Sequence, residues 1–291
     1  MIDRYLLRYF LAVVDQGNFS RAAAQCGVSQ PTLSVGIAKL ETMLDRPLFQ
    51  RSNRRVELTA AGARLVAHAR RIEGEFAEAE RTVRDDPAAR LVRLGIVSTM
   101  PAHWIERALM AARDTGERLE LVEGRMRDLS PKLDRGRIDA ILGPLPTGTS
   151  GDALFTEGYA MTMAADHPLA ARDTVSADEV AAEVMIVRRH CEALTAVSRF
   201  FTARGVRPFM AARTTSDERA VGYVRAGLGM TVMPRCFAQP GLAMPALAGF
   251  DATRTMGFRT APGGDGRLAA SAAYVRFRDA IAALHGGGAL A

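Results

Sequence analysis

The sequence predicts an α/β protein with a small all-α domain at its N-terminus. Three observations lead to this fold class. The 291 residues are enough for two domains of ordinary size. Residues 3–44 repeat apolar side chains at helical spacing, whereas from residue 91 strand-like runs alternate with helical stretches. Between the two patterns, Asp85, Asp86 and Pro87 are expected to end the preceding helix and to mark a hinge.

The composition is that of a soluble globular protein, since 48% of the residues are hydrophobic and 24% are charged. Asp3, Arg4 and Arg8 interrupt the first apolar run, so we expect no signal peptide. No stretch reaches the roughly 18 uncharged apolar residues of a membrane span. Three cysteines without CxxC spacing fit a reducing compartment, and we therefore expect a cytoplasmic protein.

The formal net charge of +6 lies entirely in residues 1–71, which hold eleven Lys and Arg against five Asp and Glu. The rest of the chain holds equal numbers of both signs. A basic N-terminal module on a neutral body predicts a polyanionic partner at that end.

The first two helices are predicted around a sharp turn. The first covers residues 3–16 and ends at Gly17. The second runs from Ser20 to Cys26, with Asn18 or Ser20 as its cap. Gly27 then supplies the tight turn that a helix-turn-helix needs.

The third helix is capped by Ser29, and Pro31 is tolerated in its first turn because that position has no N–H partner. Its core-facing residues are apolar at helical spacing: Leu33, Ile37, Leu40 and Leu44. Its outward residues are small or hydrogen-bonding, which lets a helix enter a major groove and meet base edges or phosphates. The alternative is a small helical core with an ordinary polar face.

Residues 47–59 predict a wing, which is two short strands around a Ser52-Asn53 turn. The three arginines near its tip are expected to lie along a phosphate backbone. The residues predicted to contact DNA are Ser29, Gln30, Pro31, Thr32, Ser34, Val35, Ala38, Lys39, Arg51, Arg54 and Arg55.

Residues 10–62 resemble the DNA-binding module of the LysR family of transcription regulators. The shared motifs have fixed spacing: Ala22-Ala23, Ser29-Gln30-Pro31 with Ser34, Leu40-Glu41, Leu48-Phe49 with Arg51, and Leu58-Thr59 with Gly62. The resemblance implies a regulator of double-stranded promoter DNA whose winged helix-turn-helix spans residues 1–59, with the motif itself from Phe19 to Ala38. Asp45 departs from the family, which usually has a glycine there, and we expect only the turn into the wing to change.

A long helix is predicted from Thr59 to about Arg84, within a linker and hinge at residues 60–88. Its apolar residues have coiled-coil spacing: Leu65, Ala69, Ile72, Phe76, Ala79 and Val83. Such a helix packs either on its own domain or on a second chain. The resemblance implies an antiparallel helix pair between subunits and a homotetramer.

Residues 89–291 are predicted to form parallel sheets covered by helices. The strand-like runs are Leu91–Val97, Leu119–Glu123, Ile138–Leu142, Tyr159–Ala165, Val184–Val187 and Gly229–Met233. The resemblance implies an effector-binding domain of two α/β subdomains with a cleft between them, similar to periplasmic binding proteins. We place subdomain I at 91–160 and 267–291, and subdomain II at 161–266.

Ligands of such sheets bind beyond the carboxyl ends of the strands. Ser98 and Thr99 precede a helix, so they either hold a carboxylate together with the helix N-terminus or merely cap the helix. We predict a small organic acid as the effector. The residues expected to line its site are Ser98, Thr99, Met100, Gly143, Pro144, Arg188, Cys191, Thr214 and Thr215.

His190 and Cys191 resemble the His-Cys pair of the peroxide-sensing (OxyR) branch of the family, which implies a thiol-based redox sensor as an alternative. In that branch a second cysteine follows nine residues later, but Phe200 stands there in this chain. Arg188 and the helix N-terminus favour a lowered pKa of the Cys191 thiol. Whether Cys236 approaches Cys191 is left open by the sequence.

Two other functions compete with a ligand-controlled regulator. An enzyme with a DNA-binding regulatory domain has little support, because the chain lacks a GxSxG elbow, a P-loop and a Rossmann glycine pattern, and its five histidines lack metal-ligand spacing. An architectural DNA binder has no use for a sensing domain of about 200 residues. We therefore predict no catalytic residue, cofactor or metal. The predicted partners are promoter DNA, a small effector, RNA polymerase and further copies of the chain.

Overall fold

The computed structural model describes residues 2–51, 56–83, 91–146, 151–260 and 264–286. The chain divides into two compact units. The smaller unit is Met1–Asp86 with Asp134–Gly136, and the larger is Pro87–Leu133 with Arg137–Ala291. No helix within the described ranges is long and apolar enough to cross a membrane.

The smaller unit is a winged helix-turn-helix followed by a long helix. Its elements are α1 (Arg4–Gln16), α2 (Phe19–Cys26), α3 (Gln30–Leu44), the antiparallel pair β1 (Phe49–Arg51) and β2 (Val56–Leu58), and α4 (Ala60–Val83). The inner faces of the first three helices form the core, with Leu6, Phe10, Leu33, Ile37 and Leu40 fully buried. The apolar spacing that predicts these helices therefore also predicts their buried faces.

The helix ends follow the local sequence. Asn18, rather than Ser20, caps α2, because its Oδ1 accepts a hydrogen bond from the Arg21 N–H at 3.0 Å. Gly27 ends this helix with a φ of +68°, which a glycine adopts without strain. Ser29 caps α3 by accepting from the Thr32 N–H.

The larger unit is α/β. Its strands are β3 (Leu91–Val97), β4 (Arg118–Gly124), β5 (Ala140–Pro144), β6 (Asp152–Ala164), β7 (Thr174–Val175), β8 (Val184–Arg188), β9 (Phe209–Thr214), β10 (Thr231–Pro234), β11 (Leu242–Ala243), β12 (Ala246–Leu247) and β13 (Thr253–Thr260). Its helices are α5 (Ala102–Ala112), α6 (Met126–Asp134), α7 (Leu194–Ala203), α8 (Asp217–Arg225), α9 (Asp265–Ala269) and α10 (Ala272–Gly286).

The long strand β6 runs through both subdomains. Its first half pairs with β13 in the sheet ordered β4-β3-β5-β13-β6. Its second half pairs with β10, β11 and β12. In subdomain II, β8 and β9 form a parallel pair, and Met185 of β8 bridges to Met230 just before β10. One apolar core lies mainly in subdomain I and extends to Val221, Met233 and Phe237 of subdomain II, and a second core fills the rest of subdomain II.

The structure corrects the expected subdomain boundary at residue 267. Strand β13 belongs to subdomain I, because Phe258 pairs with Leu142 of β5. The chain therefore returns to subdomain I at Thr253. Polar residues alternate with apolar ones along β13, so its sequence contains no continuous apolar run that predicts a strand. The first half of β6 is similar, and this strand therefore begins at Asp152 rather than at the predicted Tyr159.

The remaining strand ends shift by one or two residues. Strand β5 begins at Ala140 rather than at the predicted Ile138, and β10 begins at Thr231 rather than at the predicted Gly229. Ile138 is nonetheless buried, because it packs into the core just before its strand starts. The burial of a residue therefore does not show where a strand begins.

Candidate DNA-binding and effector-binding sites

The outer face of α3 presents the predicted DNA-contacting side chains. Ser29, Gln30, Pro31, Thr32, Val35, Ala38 and Lys39 are exposed, and Ser34 is half-buried. Val35 is 69% exposed although it belongs to a helix with a fully buried opposite face. An exposed valine between small and polar neighbours suits apolar contact with a thymine methyl group.

Hydrogen bonds organise this face. The Gln30 amide donates to the Ser34 hydroxyl at 2.9 Å, which aligns it along the exposed side of α3. Lys39 Nζ donates to the Tyr5 hydroxyl at 3.1 Å and lies 3.7 Å from an Asp3 carboxylate oxygen. Lys39 is thus held toward α1, whereas Gln30 and Ser34 lie in the first turns of α3.

The wing is anchored to α3 by a carboxylate. Glu41 Oε1 accepts hydrogen bonds from the backbone N–H groups of Leu48 at 2.7 Å and Phe49 at 3.2 Å. Arg51 is the last residue of β1. The other predicted wing arginines, Arg54 and Arg55, lie outside the residues that the structure describes.

A second anchor joins the wing to the start of α4. The Thr59 hydroxyl donates to the Pro47 carbonyl at 2.7 Å and accepts from the Gly62 N–H at 3.0 Å. A Cβ on Gly62 would lie 2.2 Å from the Leu48 carbonyl oxygen. The Leu-Thr-x-x-Gly motif therefore has a structural cause, since only glycine lets α4 approach the wing this closely.

In the larger unit, a buried guanidinium joins the two subdomains. Arg254 of β13 donates from Nε to Glu157 Oε1 at 2.9 Å and from Nη1 to the Thr99 carbonyl at 3.2 Å. Nη1 also donates to Glu192 Oε1 at 2.5 Å, and Nη2 donates to Cys236 Sγ at 3.2 Å. Because Glu192 belongs to the turn after β8, this pair joins subdomain I to subdomain II.

Glu192 is ionised in this setting. Burial opposes the charge and is the largest single effect. The charge and hydrogen bond of Arg254, a backbone hydrogen bond and the charge of Arg188 together outweigh it and hold the pKa of Glu192 below its ordinary value. The Tyr159 hydroxyl donates to the same oxygen at 3.0 Å. One-quarter of the Glu192 side-chain surface stays exposed, so solvent reaches this carboxylate.

A second buried ion pair stays within subdomain II. Arg188 Nε donates to Asp217 Oδ1 at 2.8 Å, and Nη2 pairs with the other oxygen of the same carboxylate. Arg188 Nη1 also donates to the Val232 carbonyl at 3.0 Å. The predicted effector ligand Arg188 is therefore neutralised by an acidic residue of its own subdomain.

The thiol of Cys191 accepts hydrogen bonds from Arg188 Nη1 at 3.4 Å and from the Ala193 N–H at 3.3 Å. Burial nevertheless raises the pKa of Cys191, and it raises that of Cys236 further. This is opposite to the expected lowering. All three cysteines are free, and Cys191 and Cys236 contact different arginines.

Neither Ser98 nor Thr99 caps α5, which corrects one of the two expectations for these residues. The N-cap of α5 is Pro101, and the free N–H of Ala102 donates to Glu218 Oε1 at 2.8 Å. The helix N-terminus is thus occupied by a carboxylate of the protein itself. Thr99 is buried and accepts from Arg254, and Ser98 is half-buried in the turn after β3.

The other predicted cleft residues have mainly structural surroundings. Met100 is buried, and Pro144 ends β5. A Cβ on Gly143 would lie 2.7 Å from Val97, so this glycine allows close strand packing. Thr214 accepts from the Ser216 N–H at 3.1 Å, and Thr215 is exposed.

Sequence reasoning missed Arg254, Glu157, Glu192 and Asp217. The sequence does contain a pattern that indicates Arg254. Arg254, Met256 and Phe258 lie two positions apart along β13, so they share one face of the strand, and all three are buried. An arginine in phase with buried apolar residues indicates a buried charge that needs partners. Over the described ranges, no group of three His, Cys, Asp or Glu gathers to hold a metal ion.

Comparison with known proteins agrees with this architecture. Residues 5–63 match the bacterial regulatory helix-turn-helix of the LysR family, and residues 85–280 match the LysR substrate binding domain. A probable hydrogen peroxide-inducible genes activator of Mycobacterium avium is 34% identical over 239 residues, which cover 79% of this chain and 76% of that protein. The dual regulator OxyR of Escherichia coli K12 is 30% identical over 80% of this chain and 79% of its own length.

A solved structure of a full-length OxyR variant from Pseudomonas aeruginosa superposes with a TM-score of 0.62. It is 26% identical, and the match covers 97% of this chain and 95% of that one. The two family domains together span most of the chain. The chain therefore belongs to the LysR family of DNA-binding transcription regulators, with an N-terminal helix-turn-helix and an effector-binding domain.

Proposed function

We propose that this regulator converts the binding of a small organic acid in the cleft between its α/β subdomains into a change of promoter binding. The observation that carries the proposal is the Glu192–Arg254 pair, in which a carboxylate from subdomain II meets a guanidinium from subdomain I at 2.5 Å. An effector carboxylate that takes the place of Glu192 beside Thr99 keeps the arginine neutralised and frees the turn after β8. A ligand that binds one arrangement better shifts the equilibrium between the two.

On the DNA side, α3 lies in a major groove and the wing arginines lie on phosphates. The chains pair through α4 and form a tetramer through their effector-binding domains, in the cytoplasm. A change between the subdomains then alters the bend of the promoter and the access of RNA polymerase to it.

The first experiment measures binding to the DNA upstream of the protein's own gene, as a salt series with and without a panel of small carboxylates. We expect specific binding that one carboxylate shifts, and loss of that shift in Arg254→Met and Thr99→Val. Equal affinity for random DNA, or a shift that survives both substitutions, would contradict the proposal.

The placement of the DNA-binding module has its own test. Arg51→Ala should weaken binding to all sequences alike and lower the salt slope by roughly one. Gln30→Ala and Ser34→Ala should instead relax the sequence preference, because these residues stand on the exposed face of α3. An equal loss on every sequence from the α3 variants would remove this helix from the groove.

A second candidate effector is peroxide, favoured by the similarity to hydrogen peroxide-inducible activators. In that reaction the Cys191 thiol would become a sulfenic acid, with one peroxide oxygen transferred to sulfur and the other released as water. The burial of Cys191 and the presence of Phe200 nine residues later oppose it. Peroxide should change promoter binding of the wild type and of Cys236→Ser, but not of Cys191→Ser, and no change in the wild type excludes this candidate.

A further inference from the structure

Subdomain II contains a cavity of about 440 Å³, open to solvent on one side, between α7 and the strands β8, β9 and β10. This volume lies in the range of about 300–1,000 Å³ typical of small-molecule sites. Its deeper walls are buried and almost entirely apolar: Met185, Ile186, Phe201, Val206, Pro208 and Val232. The cavity is therefore large enough for an aromatic ring with a short substituent.

The polar groups inside the cavity already have partners. Arg188 is paired with Asp217, and the Thr231 hydroxyl donates to the Ile186 carbonyl at 2.8 Å. An occupant thus meets no unsatisfied donor or acceptor at depth, and a polar group placed there would lose its hydration without compensation. The inner part of a ligand must be apolar.

The mouth of the cavity has the opposite character. Ser198 and Thr202 on α7 and Arg207 before β9 line it and are exposed. Within the described part of the chain, Arg207 has no carboxylate partner at ion-pair distance. A cation at the rim of an apolar cavity complements a ligand with a single anionic end.

We propose that this cavity binds an aromatic monocarboxylic acid, with its ring between α7 and the strands and its carboxylate at Arg207. The site is separate from the interdomain cleft. The Glu192–Arg254 pair lies beyond the carboxyl end of β8, whereas Arg207 precedes β9 and Pro208 and Met210 lie at its amino end. The proposed carboxylate position at Arg207 and the Glu192–Arg254 pair thus stand at opposite ends of these parallel strands, while the apolar part of the cavity extends along β8 to Arg188 and Cys191.

The inner wall of the cavity connects it to the cleft. Cys191 lines the cavity, and the next residue is Glu192, which holds Arg254. A ligand under α7 therefore restrains the turn whose movement the proposed cleft ligand requires. The cavity acts as a second input to the regulator, beyond the function proposed above.

The test is calorimetric titration of the full chain with phenylacetate, compared with phenylacetamide, which lacks the charge, and acetate, which lacks the ring. We expect saturable binding of phenylacetate, weaker binding of phenylacetamide, and none of acetate. Arg207→Ser should weaken phenylacetate roughly five-fold, as expected for a rim ion pair. Ser198→Phe should abolish binding, since it places a ring in the mouth from an exposed position and leaves the core intact.

Thr99→Val, a change in the cleft, is the matched control and should leave phenylacetate binding unchanged. Loss of binding in Thr99→Val with retention in Ser198→Phe would move the acid to the cleft and overturn the cavity site while supporting the proposed function. No saturable binding of phenylacetate would also overturn the cavity site, and the promoter assay would still decide the cleft proposal. Equal binding of phenylacetamide would overturn the role of Arg207.

Discussion

Asp45 is the one non-glycine residue with a positive φ, +49°, in the part of the chain that the structure describes. It ends α3 and leads into the wing. A side chain in this left-handed conformation is strained by its Cβ, although aspartate tolerates it better than most residues. The family's usual glycine at this position has the same backbone role without that strain.

Asp45→Gly should therefore raise the free energy of unfolding of the full chain by about 0.5–1 kcal/mol. The measurement is the denaturant midpoint, compared with Asp45→Ala. The alanine variant keeps the Cβ and should show no gain. A gain with alanine as large as that with glycine would mean that the side chain rather than the backbone sets the stability of this turn.

Gly62 has a steric role that the same assay can isolate. Gly62→Ala should destabilise the chain by about 1–3 kcal/mol, because the new Cβ would lie 2.2 Å from the Leu48 carbonyl oxygen and force α4 and the wing apart. Gly74 belongs to the same helix, but nothing lies within 4 Å of the corresponding Cβ position. Gly74→Ala should instead stabilise by up to about 1 kcal/mol, because alanine favours a helix more than glycine does. A gain in Gly62→Ala as large as that in Gly74→Ala would refute the steric role.

At the scale of elements, β13 and the turn after β8 hold the two subdomains together. Arg254 brings Glu157 of β6, Glu192 and the Thr99 turn together from three separate parts of the chain. Because the guanidinium is buried, removal of either carboxylate leaves it less well neutralised. The stability of this arrangement must therefore depend on the ionisation of Glu192.

The pKa of Glu192 is lower in the folded protein than its ordinary value of about 4.5. Its charge thus contributes stability that is fully present above pH 4.5 and is lost as the pH falls through the folded pKa. The wild type should be more stable than Glu192→Gln at pH 7, and the difference should shrink below pH 4.5. A difference in stability that persists unchanged at pH 3 would disprove the linkage.

At the scale of the whole molecule, the two halves of the apolar seam of α4 differ in burial. Ala69 is fully buried, and Leu65 packs against the core of its own unit. Ile72 and Phe76 are 38% and 43% exposed further along the same helix. The first half of the seam stabilises its own domain, and the second half presents apolar surface that a partner helix can cover.

Phe76→Ser should consequently shift the chain toward smaller assemblies, because it removes an aromatic side chain from the proposed pairing surface. Light scattering during gel filtration reports the mass. Phe209→Ser changes an aromatic residue that is 72% exposed on β9 and should leave the mass unchanged. A mass unaffected by Phe76→Ser would place the interface between subunits elsewhere.

The local sequence alone determined the order of the two domains, the three N-terminal helices with their glycine turns, and the wing. It did so because apolar spacing, caps and glycines act between near neighbours, and the same motifs identified the family.

The charged contacts between the two subdomains were determined only by the tertiary structure. Glu157 and Arg254 are 97 residues apart in the sequence, and no local pattern specifies which charges meet. The pKa of Cys191 is raised for the same reason, since burial arises from long-range packing, whereas the arginine and the helix beside the thiol in the sequence indicated only the opposite shift.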